Sequence, residues 1–389
     1  MPLMWIGRLS SSRFRLRADK VVPKLIPVLL ILGATLSAAA VAFGCVPAIA
    51  DHTGGVAFIR VMYRLQWLFV GTTVVCALAL VGMVITNHRR GIWLVGLLPV
   101  VGLFGWRFGI SPARPGYVDD APAFVQTVNP DWLDGGAAVL GIVSGEQAYA
   151  IPLAAMEQAP VLVHTERDHR VIVMWSAQAG IATACRTDRT LRGRDLRIVA
   201  SPAGVLLLFN ERVGEFFDAL TLAQRGGTPL SGFQTRLPVD VATWDAWRAL
   251  HIDTQLLDPR RAMPTAPLPE PRETEAVVFI ASNPPIVVPR EELSVEPMNV
   301  TNGTTSALLF RDSAGRLHAF ERKVDGDLFL RFEPSLDKHR KNVAFIDTDT
   351  QSGWTTSGTC IDGTLAGRRL PRLVVLDAVP ATAARYWLR

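Results

Sequence analysis

The chain has 389 residues, of which 49% are hydrophobic and 19% charged, and a formal net charge of +5. Its length suggests two or three domains, and its apolar residues are too many and too clustered for an ordinary soluble protein. The charge is local: residues 1–24 carry Arg8, Arg13, Arg15, Arg17, Lys20 and Lys24 against Asp19, and removing those from the totals of 40 and 35 leaves 34 basic and 34 acidic residues elsewhere. That balance lacks the basic stripe of a nucleic-acid binder, so no nucleic acid is expected as a partner.

The basic segment 1–24 precedes an apolar run, the arrangement that holds an N-terminus in the cytoplasm. Residues 25–50 contain no Asp, Glu, Lys or Arg, and neither do residues 65–87. Both exceed the ~20 residues that cross a hydrocarbon core. A shorter third run, 91–106, contains Pro99 and is followed by Arg107, which can snorkel to the headgroups. Residues 25–110 are therefore expected to form three transmembrane helices, with Trp67, Trp93, Trp106 and Arg107 as anchors at the bilayer surface. Arg89 and Arg90 fall on the cytoplasmic side if the first span runs outward. Three crossings then place the rest of the chain in the periplasm of a bacterial inner membrane. No ionisable residue lies deep in a span, which argues against a pump or carrier. Gly96, Gly102 and Gly105 offer close helix packing, against the other spans or a partner's.

Residues 111–132 read as a Pro- and Asp-punctuated lead-in. A first β-rich domain, 133–258, is expected from short apolar runs such as VLGIV, QAYAIPL, HRVIVMW and VLLLF separated by turn formers. Within it, ATWDAWRAL reads as a brief helix capped by Thr243. Five prolines in DPRRAMPTAPLPEPRE make 259–273 a stiff linker. A second β-rich domain, 274–389, follows with AVVFIAS, SALLF, RLHAFER and VAFID. The two parts share a template: each opens with an apolar hairpin ending in proline and closes on a turn-rich segment with an apolar tail. The expected fold is thus a membrane-anchored, mainly-β chain with two tandem, related domains, packed side by side or apart.

On VLGIVSGEQAYAIPL, VIVMWSAQAGIATACRTDRTLRGRDLRI and GGTPLSGFQTRL, the first copy resembles the bacterial family of domain of unknown function 3179; RDSAGRLHAFERKVDGDLFLRF and DGTLAGRRLP carry a looser match in the second. The resemblance covers about 120 residues of the first copy and excludes the membrane region. Members carry a Cys-Pro-Leu-Cys-Gly motif whose thiols imply redox or metal chemistry. Carried over, the two cysteine positions fall on Ser176 and Ala179 with Gly180 kept, and on Arg311 and Ala314 with Gly315 kept. The family's His-Glu pair falls on Ala159 and Pro160, and more loosely on Glu296 and Pro297. Alanine offers no lone pair, and a serine hydroxyl is a poor nucleophile without an adjacent base. The resemblance therefore implies a retained fold without its chemistry.

Four cysteines remain: Cys45 and Cys76 in membrane runs, and Cys185 and Cys360 in different copies, either as a disulfide or as two separate thiols. His164, Glu166, Asp168 and His169 form either a metal site or a solvated turn. His318 lies in a strand, and Asp347, Asp349 and Asp362 match no calcium-loop spacing. No phosphate-loop, GxSxG, HExxH or CxxC pattern occurs, so no catalytic residue, metal or cofactor is assigned. The expected function is a non-catalytic accessory subunit whose partners are the lipid bilayer and the membrane subunits of a larger complex. Energy-transducing assemblies are the candidates, a photosynthetic reaction centre with its antenna slightly ahead of a respiratory complex. The alternatives are a tethered thiol- or metal-dependent oxidoreductase using Cys185 or the histidine turn, and a small-ligand receptor.

Overall fold

The computed structural model describes residues 12–46, 49, 55–86, 88–107, 117–126, 130–222, 233–258, 276–280, 285–312, 315–324, 328–335 and 342–387. They fall into two compact units, Met1–Arg114 and Pro115–Arg389. The proline-rich linker and Ala314 lie outside the described residues.

Two helices, Ser12–Phe43 and Gly55–Thr86, dominate the first unit. Their stretches Leu25–Phe43 and Gly55–Thr86 are long and apolar enough to cross a membrane. At 1.5 Å per residue the shorter reaches about 28 Å, close to the ~30 Å hydrocarbon thickness. The third apolar run is not one α-helix. It is a 3-10 helix, His88–Leu97, that passes into a short α-helix, Leu98–Gly105. Pro99 stands in the first turn of that α-helix, where its missing N–H costs nothing and its fixed φ starts the helix instead of kinking it.

Ala34, Ala38 and Val100 form the small-residue core of this unit. A Cβ on Gly96 would come within 2.5 Å of the Ile31 side chain, which would have to shift, whereas Gly102 and Gly105 have nothing within 4 Å. Of the three glycines, Gly96 makes the close approach within the chain. Trp106 is half-buried with its ring 5.2 Å from that of Phe43, while Trp67 is 75% exposed among outward-facing Leu68, Val75 and Leu78.

The second unit is β-rich. In its first half, Ala138–Ser144 pairs antiparallel with Gln147–Pro152 across a two-residue turn, where Gly145 takes φ +62°. The same strand pairs on its other side with Val239–Thr243. Gln255–Leu257 and Phe124–Gln126 complete a five-stranded sheet. A second five-stranded sheet orders Val118–Asp119, Val161–Thr165, Arg170–Ser176, Ile181–Thr187 and Phe233–Leu237. Leu140, Ile142, Ile151, Val171, Val173 and Trp175 fill the core between the two sheets. Val139 and Ala150 point the other way onto Trp244 and Trp247. Burial on both faces is why VLGIV reads as an unbroken apolar run. The segment read as a lead-in is knitted into the fold: its two short strands pair with Val161–Thr165 and Gln255–Leu257.

In the second half, Ala276–Ile280 lies between Ile286–Pro289 and Val375–Pro380. Met298–Asn302, Thr305–Arg311 and Leu317–Glu321 form a meander, and Phe332–Pro334 opens a four-stranded sheet that ends on Cys360–Asp362. Among the described residues no strand pairing crosses between the halves. They nevertheless touch: the buried Trp387 Nε1 donates to Pro202 O at 3.2 Å.

Local arrangements recur. Val239–Thr243 leads into helix Trp244–Leu250, with Thr243 accepting from Ala246 N as expected of its cap, and Val375–Pro380 leads into helix Ala381–Trp387. A buried aspartate turn also recurs. Asp218 accepts from the Thr221 amide and hydroxyl, and Leu222 follows at φ +54°. Asp347 accepts from the Thr350 amide and hydroxyl, and Gln351 follows at φ +60°.

Candidate functional site

Strand pairing brings the four-residue turn 177–180 to the end of Arg170–Ser176, and the corresponding turn after Thr305–Arg311 holds Asp312, Gly315 and Arg316. Gly180 and Gly315 take φ +65° and +77°, the left-handed conformation that the resemblance expects glycine to preserve. Ala179, Gly180, Gly315 and Arg316 line one cleft of about 1240 Å³ between the halves. Its walls also include Val239 to Ala242, Val375 to Ala378, the helix residue Leu250, and Arg290, His318 and Arg372.

The residues at the thiol positions have structural work. Ser176 is 1% exposed, and its hydroxyl accepts from Leu206 N at 3.1 Å, tying the strand end to the next loop. Ala179 is buried and its amide donates to Ser176 O at 3.0 Å. Arg311 forms a two-pronged bond with Asp377, Nη1 to Oδ2 and Nη2 to Oδ1, each 3.0 Å, and also donates to Gly315 O at 2.9 Å. Arg290 Nε reaches the same carboxylate at 3.0 Å. Burial opposes ionisation of Asp377, but the Arg311 hydrogen bonds and charge, then those of Arg290, outweigh it and hold the carboxyl below its usual range. Beside this pair, Asp312 accepts from Arg316 Nε at 2.8 Å and lies 3.0 Å from His318 Nε2. His318 stacks on Phe310 at 5.1 Å, a cross-strand contact.

Neither remaining cysteine restores thiol chemistry to the cleft. Cys185 and Cys360 are both free, so no disulfide joins them. Cys185 is fully buried in Ile181–Thr187, and burial, only partly offset by Arg236, pushes its thiol far up. Burial likewise raises Cys360, whose Sγ donates to Asp362 O at 3.2 Å. A reactive cysteine needs the opposite setting, partly exposed and beside a cation.

The histidine turn is a packed polar cluster rather than a purely solvated loop. Glu166 pairs with His169 Nε2, and Ser144 Oγ donates to Glu166 at 3.0 Å and accepts from Arg186 at 3.1 Å. Serine, histidine and carboxylate meet here without forming a nucleophilic triad, because Glu166 and Ser144 address the same ring nitrogen. His164 points elsewhere, its ring 4.6 Å from Phe124 and 5.1 Å from Tyr149, and burial lowers its pKa against the opposing charge of Glu166. Tyr149 is pushed up by burial and by Glu166. Among the described residues no three His, Cys, Asp or Glu gather as metal ligands. Asp347 bonds Thr350 and Trp354, and Asp362 accepts from Gly353 N, which uses the carboxylates that resembled calcium donors.

Sequence reading missed Arg290 and Asp377, which organise the second turn, and Asp240 and Arg372, which face the cleft. One signal was present: Asp240 and Asp377 stand alike in VDVATW and LDAVPA, each four residues before the start of a short helix. No family model, no curated protein and no solved structure matches the chain.

Proposed function

We propose that this chain is a non-catalytic accessory subunit of a bacterial membrane complex, anchored by its N-terminal helices and presenting two related β-rich halves to its partners in the periplasm. The observation that carries the reading is the cleft itself. Both turns that the family resemblance assigns to thiols line it, and both are filled by groups committed to the fold. Kinship of the halves is supported by the repeated aspartate turn and by the repeated strand-into-helix step. A third crossing is supported by the apolar part of that segment: 3-10 residues 91–97 and α-helical residues 98–105 rise by about 26 Å together, near the ~30 Å hydrocarbon thickness. Energy-transducing assemblies remain the proposed setting.

Gentle detergent extraction followed by native electrophoresis and mass spectrometry of the band tests this. Migration within a larger particle of defined subunits is expected, and migration as a lone monomer overturns it. The open cleft also favours a second reading, a receptor for a small ligand. A rise in melting temperature on adding a small molecule to the detergent-solubilised chain would support that reading.

A further inference from the structure

We infer that the cleft receives an extended polypeptide segment of a partner subunit, added as a strand along the free edge of Val239–Thr243. This rests on the accessory-subunit reading and assigns it a docking mode. Val239–Thr243 ends its five-stranded sheet, and Val375–Pro380 ends the sheet Ile286–Pro289, Ala276–Ile280, Val375–Pro380. Both edges open onto the same cleft. An edge strand leaves alternate N–H and C=O groups unpaired, and folds either guard such edges or use them.

The two edges differ in this respect. Val375–Pro380 is guarded. Its register with Ala276–Ile280 shifts beside Ala378, which sits at φ +60°, Asp377 is locked to two arginines, and Pro380 has no N–H to give. Val239–Thr243 carries no such bulge: five consecutive residues keep register with Ile142 to Ala138. Around it the wall is apolar and open, with Val241 41% and Leu250 70% exposed. Two lining charges have no ion-pair partner among the described residues, the exposed Asp240 and the exposed Arg372.

These features define the occupant. A segment that alternates apolar residues with a cation facing Asp240 and an anion facing Arg372 would satisfy the edge backbone, the apolar wall and both charges. A strand fills roughly 4.8 Å by 10 Å by 3.3 Å per residue. The 1240 Å³ of the cleft therefore takes on the order of eight residues. This exceeds what most small-molecule sites enclose, which is about 300–1,000 Å³.

Site-specific photocrosslinking in the native membrane tests the inference. The full chain would carry a benzophenone side chain at position 241 and, in a parallel protein, at position 252, where Ile252 is 75% exposed and outside the cleft. The expected result is a crosslink from 241 to one contiguous stretch of about eight residues in a single partner subunit. Introducing Asp240→Lys should cut that yield roughly fivefold, the effect of about 1 kcal/mol of charge reversal. Asp240 has no ion-pair partner to lose among the described residues, so a normal melting temperature is the control for folding. No crosslink from 241 in an intact complex overturns the docking mode and leaves the accessory reading standing, whether or not 252 reacts. Crosslinks from 241 to lipid, to a small molecule or to a second copy of the chain overturn it too. A lone monomer without crosslinks overturns both.

Discussion

Replacing Asp347 by alanine should unfold the four-stranded sheet of the second half at a lower temperature than any surface change in the unit. The residue is 0% exposed, and its carboxylate accepts from Thr350 N at 2.6 Å, Thr350 Oγ at 2.8 Å and Trp354 Nε1 at 3.0 Å. Alanine leaves the indole N–H and the Thr350 amide without acceptors inside the core. Each buried donor so orphaned costs about 1–3 kcal/mol, so the pair costs about 2–6 kcal/mol. The threonine hydroxyl can turn to Ser352 Oγ, 2.7 Å away, and adds little. For a unit of this size each kcal/mol lowers the melting temperature by about 2–4 °C, so a fall of the order of 10 °C is expected. Hydrogen exchange on the full chain in detergent locates the loss, with protection falling first across 345–362. Asp347→Asn keeps one acceptor and should lose about half as much. Equal losses for Asn and Ala, or no loss for Ala, would refute the claim that these hydrogen bonds hold the sheet. The twin change Asp218→Ala should cost more, because it leaves the half-buried Arg236, whose charge Asp218 offsets, without that partner.

Stability on the acid side should depend on Asp377. Its folded pKa is depressed, so its contribution is complete above the ordinary carboxylate value of about 3.9 and disappears as pH falls through the lower folded value. The double variant Arg290→Leu with Arg311→Ser should remove that acid-side step from a plot of melting temperature against pH; survival of the step would assign it elsewhere. His164 has the same sign for a different reason: burial depresses its pKa, so stability should fall as pH drops through about 6.5, where the unfolded imidazole takes up a proton. His164→Phe should flatten that limb. Cys185 should resist iodoacetamide at neutral pH in the folded chain and react once urea exposes it; rapid native labelling would revive the thiol reading. Gly141→Ala should cost about 1–3 kcal/mol, since its Cβ would lie 2.2 Å from the Trp247 ring, and tryptophan fluorescence should shift to the red as that ring is displaced.

What the sequence made legible was governed by periodicity and local chemistry. VLGIV, QAYAIPL, SALLF and VAFID each fall on a strand because burial on one or both faces dictates runs of β-branched and aliphatic residues. Thr243 was readable as a cap for the same local reason. Ile181–Thr187 was missed: IATACRT is short on large apolar residues and buries small ones by pairing on both sides. The lead-in strands were missed because Val118–Asp119 has two residues and exists only by pairing with Val161–Thr165. Long-range partners were also out of reach. Arg290 and Asp377 are 87 residues apart, as are no two residues a linear motif can join, and their meeting depends on the strand order around Ala276–Ile280.

On the proposed kinship of the halves, the divergence of the two turns argues against simple decay of a lost thiol site. Loss of selection on a nucleophile would leave an arbitrary side chain at an exposed position. Here each half carries a different residue, and each is bonded into its own surroundings: Ser176 receives a loop amide, while Arg311 grips a carboxylate that the first half leaves free at the equivalent Asp240. The buried aspartates diverge in the same manner, one compensated by Arg236 and the other by the Trp354 indole. In both cases the two halves keep a similar local backbone course and differ in the side chain that meets it. The asymmetry has a consequence at the cleft. Neutralising Asp377 closes one edge, leaving Asp240 as the unbalanced charge on the other, so a partner approaching the cleft meets one guarded wall and one receptive wall. Removing that charge, as Asp240→Asn, should therefore weaken partner retention on a native gel while the melting temperature stays normal; unchanged retention would refute Asp240 as the recognition charge.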